Sequence, residues 1–148
     1  AIFDRVRQLG LESEVVFPGF VADSEQVLWY AAAAAFAYPS LYEGFGIPVT
    51  EAVACGTPVV TSNVSSLPEA GAGIALTVDP LDVEAMTEAL YKALTDVAYQ
   101  QQCRKMASAI AQQFSAQRMV EETISVYEQA AMHHTATQKR TQYVSFVR

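Results

Sequence analysis

The sequence has no Lys or Arg between Arg7 and Lys92, although the same stretch carries eleven acidic residues, from Glu12 to Glu88. The whole chain of 148 residues has a formal net charge of -7. Nucleic-acid binding needs clustered Lys and Arg to neutralise phosphates, so this composition excludes a nucleic acid as the expected partner. A phosphate-bearing ligand bound in this stretch would need backbone N–H groups, a helix N-terminus or a cation from elsewhere in the protein.

Cysteine is scarce, and no apolar run is long enough to cross a bilayer. Cys55 and Cys103 are far apart in sequence and have no metal-ligand spacing around them, so we expect two buried thiols and no metal site. The longest apolar run, at residues 27–38, is shorter than the roughly 20 residues of a membrane helix. Since the start of the chain shows no signal-peptide pattern, we expect a cytoplasmic protein without a transmembrane segment.

Apolar segments of strand length alternate with helical patterns, which predicts an α/β fold of parallel strands joined by crossover helices. We expect strands at residues 14–19, 34–39, 58–62 and 75–78. Helices are expected at residues 23–33 and 82–94, begun by the N-cap chemistry of Asp23-Ser24-Glu25 and of Asp82. Two further helices, at 98–114 and 116–132, follow without a strand between them. For the polar tail at 133–148, a short strand, a docking segment and disorder all fit the sequence.

A glycine-rich loop bracketed by two carboxylates is the clearest candidate site. The segment Glu43-Gly-Phe-Gly-Ile-Pro-Val-Thr-Glu51 follows the strand predicted at 34–39. The loop should therefore lie at the carboxyl edge of the sheet, where open α/β sheets bind ligands. Gly44 and Gly46 let backbone N–H groups approach a ligand closely, while Pro48 and Gly56 suit the start and the end of the next helix. Glu43 and Glu51 would flank one hydroxyl-rich ligand.

Each of these residues also has an ordinary structural explanation. A Glu in the first turn of a helix complements the macrodipole, a loop Glu is usually solvated, and paired glycines often form only a turn. Gly44-Phe-Gly46 lacks the third glycine and the downstream acid of the dinucleotide fingerprint. His133 and His134, at a helix end beside a polar tail, fit solvated side chains better than a metal or acid–base site.

The motifs carry more information together than singly. Five of them occur in this order: Phe17-Pro-Gly19, Tyr38-Pro-Ser-Leu-Tyr-Glu-Gly-Phe-Gly46, Glu51-Ala-Val-Ala-Cys-Gly-Thr-Pro-Val-Val60, Leu67-Pro-Glu69 and Val78-Asp-Pro80. The series resembles the donor-binding half of the family 4 retaining glycosyltransferases of the GT-B fold, densely over residues 15–94. The resemblance implies a Rossmann-like parallel sheet with flanking helices, as a partial GT-B C-terminal domain lacking its first two strands, over residues 1–132.

The resemblance also implies a role for each matching residue. Glu43 would be the catalytic residue that contacts hydroxyls of the transferred sugar, and Glu51 would bind the ribose of the nucleotide. Backbone N–H groups of the glycine loop would face the sugar and the diphosphate, and the segment after the first strand would lie near the base. The donor-binding residues implied in this way are Gly19, Phe20, Val21, Gly44, Phe45, Gly46, Ile47 and Glu51. Residues 63–69 would either line the pocket or serve as a turn and helix cap, since Ser-Ser-x-Pro-Glu is good capping chemistry.

The implied reaction is glycosyl transfer from a nucleotide-sugar, of the GDP-mannose or UDP-glucose type, to an acceptor, with no cofactor and no essential metal. In the family, an Arg and a Lys upstream of the matching region bind the diphosphate, and a separate domain binds the acceptor. We therefore expect the isolated chain to be inactive and to need a missing N-terminal half or a complementing chain. Element exchange between copies, giving a homo-oligomer, or a rearranged sheet are the other expected outcomes.

Two other functions remain open on the sequence. The chain could be a non-catalytic nucleotide-binding or assembly fragment, which the absence of those cations favours. It could also belong to another enzyme class on a similar fold, such as a nucleotide-sugar epimerase, because the fold alone does not fix the chemistry.

Overall fold

The structure, a computed structural model, describes the backbone of residues 2–146 and the side chains of residues 2–133. Helices and strands alternate through the first two thirds of the chain, and helices alone follow. The elements are α1 (Ile2–Gln8), α2 (Asp23–Ala32), β1 (Phe36–Tyr38), α3 (Ile47–Ala54), β2 (Val59–Ser62), α4 (Leu67–Ala70), β3 (Leu76–Val78), α5 (Val83–Thr95), α6 (Val97–Gln113) and α7 (Ala116–Phe146). Within the described part of the chain, no helix has both the length and the apolar character needed to cross a bilayer.

The three strands form one parallel sheet in the order β1-β2-β3. Phe36 lies opposite Val59, and Val60 lies opposite Leu76. Helix α3 connects β1 to β2, and the short α4 connects β2 to β3. The α/β prediction with a parallel sheet and flanking helices is confirmed, and three of the four predicted strands occur within two residues of their expected bounds.

The fourth predicted strand, at residues 14–19, is wrong. The structure has turns and irregular backbone over these residues. A strand forms only where a neighbour accepts its hydrogen bonds, and no described strand lies beside this segment. Instead, Phe17 packs against Phe3 of α1, with the ring centroids 4.4 Å apart. Val16, next to it, is 78% exposed.

Helix ends follow the sequence signals in most places. Asp82 caps α5 as predicted, because its carboxylate accepts a hydrogen bond from the Ala85 N–H at 2.9 Å. Gly56 follows α3 with a φ of 77°, as a C′ glycine does. The N-cap prediction for Asp23 is wrong, because Asp23 is already the first residue of α2 and the N-cap is Ala22, which has no capping side chain.

Helix α7 is longer than the predicted helix at 116–132, since its backbone is helical to Phe146. The tail predicted from His133 is therefore helical over most of its length, where the sequence also fitted a strand. The side chains from His134 onward, and residues 147 and 148 altogether, lie outside the described part of the chain. The docking-segment alternative for the tail depends on those side chains.

The core lies around β2 and the helices packed on it. Val59, Val60 and Leu67 are fully buried, as are Val49 and Ala52 of α3. Tyr99 of α6 reaches into this core and donates a hydrogen bond to the Ile74 carbonyl at 3.0 Å. This buried centre supports the carboxyl ends of β1 and β2, and with them the loops of the candidate site.

Both cysteines are protonated thiols, and only Cys103 belongs to this core. Cys103 is buried and Cys55 is half-buried. Burial raises the pKa of both thiols, and the Glu51 carboxylate raises the pKa of Cys55 further. Since the thiolate is the reactive form, neither thiol is activated for chemistry.

Candidate functional site

The glycine loop lies where it was expected, directly after β1 at the carboxyl edge of the sheet. The segment at 63–69, which follows β2, supports it. The Ser65 hydroxyl accepts a hydrogen bond from the Glu43 N–H at 3.3 Å, and the Ser66 hydroxyl donates to the Phe45 carbonyl at 2.9 Å. Ser66 is also the N-cap of α4, but its side chain makes no capping hydrogen bond. The capping explanation of this segment is therefore wrong for Ser66, although a helix does begin there.

Gly46 fixes the shape of the loop. It is the N-cap of α3 and has a φ of 99°, a left-handed conformation that favours glycine. A Cβ at this position would lie 2.8 Å from Cδ2 of Leu67, which is fully buried. Any other residue would therefore be strained in this backbone conformation and would require Leu67 to shift.

The loop presents a row of unpaired backbone donors. Among the described residues, none accepts a hydrogen bond from the N–H groups of Gly44, Phe45, Gly46 or Ile47. They precede or begin α3, whose macrodipole places partial positive charge at this end. Pro48, which has no N–H, stands in the first turn as predicted. This arrangement suits an anion in a region that has no nearby Lys or Arg in the sequence.

Glu43 is held by a tyrosine of the preceding strand. The Tyr38 hydroxyl donates to Oε1 of Glu43 at 2.8 Å, and the carboxylate is half-buried. This hydrogen bond, followed by burial, raises the pKa of Tyr38. The phenol therefore remains a donor at neutral pH. Glu43 is not an ordinary solvated loop residue, because its side chain has a fixed partner.

Glu51 is held in the same way by a tyrosine of α2. The Tyr30 hydroxyl donates to Oε2 of Glu51 at 3.0 Å. Burial, together with this hydrogen bond, raises the pKa of Tyr30 to about 12. Glu51 is the fifth residue of α3 and lies outside the first turn. Since the macrodipole acts mainly within the first turn, an interaction with it does not explain why a glutamate occurs at position 51.

A cleft of about 690 Å³ lies beside Glu51. One wall is the start of α3 with Phe45, and the other is the junction of α6 and α7. The rings of Phe45 and Phe114 meet across it, with the centroids 5.9 Å apart. Its lining includes Phe45, Ile47, Thr50, Glu51, Phe114, Arg118, Met119, Glu122 and Val126.

Arg118 is the residue of this cleft that sequence reasoning missed. Its Nε donates to Oε1 of Glu122 at 2.7 Å on the same helix, and both side chains remain largely exposed. The motif region contains no cation, and the fold brings this one to the motif from α7. No pattern in the sequence indicates that Arg118 lies at the cleft. Arg118 follows the last matching motif, and its position depends on the turn between α6 and α7.

The remaining predicted site residues are not assembled with this cleft. Gly19, Phe20 and Val21 lie in the irregular segment before α2, and none of them lines the cleft. Phe20 is 91% exposed. Glu43 lies in the same loop as Phe45 but is also absent from the cleft lining. The structure thus brings Phe45, Ile47 and Glu51 together at the cleft, whereas Gly44 and Gly46 of the same loop, and the segment predicted to lie near the base, do not line it.

The histidines and acidic residues form no metal site in the part of the chain that the structure describes, because no three His, Cys, Asp or Glu side chains are grouped to bind one ion. His133 is exposed on α7, and the side chain of His134 lies outside the described residues.

Comparison with known proteins gives a consistent result. Residues 2–113 match the family described as "Glycosyl transferases group 1". The chain is 41% identical over 117 residues to O-antigen chain mannosyltransferase B of Escherichia coli, covering 79% of this chain and 31% of that protein. It is 33% identical over 132 residues to the MMP alpha-(1->4)-mannosyltransferase of Mycolicibacterium hassiacum, covering 84% of this chain and 31% of that protein.

A solved structure, the sucrose-phosphate synthase of Thermosynechococcus elongatus, resembles this fold with a TM-score of 0.77 at 30% identity. The match covers 89% of this chain and 34% of the synthase. The chain therefore spans about one third of the length of these relatives.

Proposed function

Because this chain belongs to the glycosyl transferases group 1 family, we propose that it is the nucleotide-sugar donor-binding part of a retaining glycosyltransferase. The observation that carries the proposal is a loop at the carboxyl edge of the sheet with unpaired N–H groups at the start of α3, preceded by one tyrosine-held carboxylate, Glu43, and followed within α3 by another, Glu51. The N–H groups suit a diphosphate, and carboxylates suit the hydroxyl groups of ribose and sugar.

Each group has a place in this proposal. Glu51 accepts hydrogen bonds from the ribose hydroxyls, and Glu43 accepts them from hydroxyls of the transferred sugar. The N–H groups of Gly44–Ile47 bind the diphosphate and stabilise the charge that develops on it as the glycosyl bond breaks. Arg118 adds a guanidinium to the same cleft, and its five N–H donors allow a phosphate contact beside the Glu122 ion pair.

The relatives suggest the donor. Both mannosyltransferases described above are named for mannosyl transfer, so we expect a donor of the GDP-mannose type before one of the UDP-glucose type. We expect the acceptor to be bound by parts of the protein outside the cleft. The chain spans about one third of the relatives' length. Transfer is therefore proposed for an assembly in which an acceptor-binding half, or a complementing chain, meets this one.

Binding is the first test of the proposal. Calorimetric titration of the chain with GDP, UDP, GDP-mannose and UDP-glucose should show saturable binding of at least one nucleotide. Glu51→Ala should weaken that binding about 10- to 100-fold, because a hydrogen bond to a charged group is worth about 1.5–3 kcal/mol. Glu88→Ala on α5 is the matched control, since it removes the same charge from an exposed position that does not line the cleft.

Two results would count against the proposal. A folded chain that binds none of the four ligands has no working donor site. Binding that Glu51→Ala leaves unchanged would take place elsewhere on the protein.

An assay of glycosyl transfer distinguishes the catalytic proposal from a non-catalytic nucleotide-binding fragment. Adding a polypeptide that supplies the acceptor half should produce glycosylated acceptor in the first case and none in the second.

A further inference from the structure

We propose that Tyr30 and Tyr38 are positioning residues that orient the two carboxylates of the donor site. Each phenol holds one oxygen of a carboxylate, so that the other oxygen is presented to a hydroxyl of the donor. The inference rests on the proposed function above and assigns a positioning role to two residues outside the Glu43–Glu51 segment. It is carried by a pair of three-residue chains that the fold builds in parallel.

The first chain runs from Thr57 through Tyr30 to Glu51. The Thr57 hydroxyl donates to the Tyr30 carbonyl at 2.7 Å, and the Tyr30 hydroxyl donates to Oε2 of Glu51 at 3.0 Å. Thr57 is only 3% exposed, so the anchor of this chain belongs to the core. Tyr30 is thus fixed at its backbone and at its phenol.

The second chain has the same construction. The Thr61 hydroxyl donates to the Tyr38 carbonyl at 2.9 Å, and the Tyr38 hydroxyl donates to Oε1 of Glu43 at 2.8 Å. Thr61 is fully buried in β2. Within the described part of the chain, no side chain donates to the second oxygen of either carboxylate. Each carboxylate therefore has one oxygen fixed and one available.

Phe36 joins the two chains. Its ring meets Tyr30 edge to face, with centroids 5.3 Å apart, and stacks with Tyr38 at 6.0 Å. Rings packed in this way lose their rotational freedom, which holds both phenol oxygens in place before any ligand arrives. Positioning of this kind lowers the ordering cost of binding, since the carboxylates need not be arranged by the ligand.

The two tyrosines should act on different parts of the donor. Tyr30→Phe should weaken binding of the nucleoside diphosphate, GDP or UDP, about 5- to 30-fold, the effect of losing one hydrogen bond. Tyr38→Phe should leave that affinity unchanged and should reduce, by a similar factor, the ratio of nucleotide-sugar affinity to nucleotide affinity. A tyrosine that only stabilised the fold would not separate the two ligands. Tyr91→Phe is the control, because Tyr91 is 70% exposed on α5.

A double-mutant cycle shows whether Tyr30 acts through Glu51. In the Glu51→Ala background, Tyr30→Phe should have no further effect on nucleotide affinity. Circular dichroism checks that each variant is folded. A wild-type chain that binds but whose Phe variants bind equally well overturns this inference alone. An additive loss in the double variant also overturns it. A wild-type chain that binds no nucleotide overturns the proposed function and this inference with it.

Discussion

The middle of the chain and its two ends differ in burial although they are similarly apolar. Every side chain that the structure shows as buried lies between Val49 and Ile110, whereas α1, α2 and the described part of α7 contain none. The ends nevertheless carry large apolar side chains, including Trp29, which is 53% exposed, and Val126, which is 61% exposed. Apolar periodicity is enough to form a helix, but burial requires a second surface in the right place.

The same contrast separates the parts of the candidate site that are supported by buried elements from the part that is not. Its carboxylates, its glycine loop and its supporting serines stand on β1, β2 and the buried face of α3. The segment expected near the base, residues 19–21, belongs to the end region and is not held against the cleft. Substitutions in the two regions should therefore have very different effects on the free energy of unfolding.

The largest effect is expected for Leu67→Ala. Leu67, the first residue of α4, is fully buried beside the glycine loop, so truncating it leaves a cavity next to Gly46. The free energy of unfolding should fall by about 2–5 kcal/mol, the usual range for a buried leucine. Urea unfolding followed by circular dichroism measures this. A loss below about 1 kcal/mol would show that the middle region is no better packed than the ends.

A smaller loss is expected for Tyr99→Phe. The variant keeps the ring but leaves the Ile74 carbonyl without the hydrogen bond that Tyr99 donates at 3.0 Å. The free energy of unfolding should fall by about 1–3 kcal/mol, the cost of an unpaired buried polar group. Urea unfolding at pH 7 measures this difference.

The same variant should change the alkaline limit of stability. Burial raises the pKa of Tyr99 above the ordinary tyrosine value of 10.0, so the unfolded chain loses this proton before the folded chain does. The contribution of Tyr99 is therefore complete below about pH 10 and is lost as the pH rises further. Wild-type stability should fall above pH 10, and the fall should be shallower in Tyr99→Phe. An identical slope in both proteins would show that other groups control the alkaline limit.

The smallest effect is expected for Ile124→Gln on α7. Ile124 is 51% exposed, and glutamine is a good helix former, so the free energy of unfolding should change by no more than about 0.5 kcal/mol. A loss as large as that of Leu67→Ala, in the same urea experiment, would show that α7 is packed against a partner in solution. The size of the difference between these two variants measures how far the two regions really differ.

The sequence predicted well the features that are fixed locally. The three strands, the Asp82 cap, Gly56 after α3 and the position of the glycine loop all follow from patterns within a few residues. The strand at 14–19 failed because a strand depends on a neighbour that no local pattern reveals. Arg118 and the tyrosine partners of the carboxylates were not predicted for the same reason, since each contact joins residues that only the fold brings together.

Gly46 also limits how such a site can change during evolution. A side chain there would be strained by the left-handed conformation, and its Cβ would force the buried Leu67 side chain to shift. Ile47, the next residue, is 62% exposed and lines the cleft. On the proposed function, two neighbouring positions of one loop therefore differ in how well they tolerate substitution: Gly46 tolerates it poorly and Ile47 tolerates it well. Under that proposal, a substitution of Ile47 would change the donor preference and leave the phosphate-binding backbone as it is.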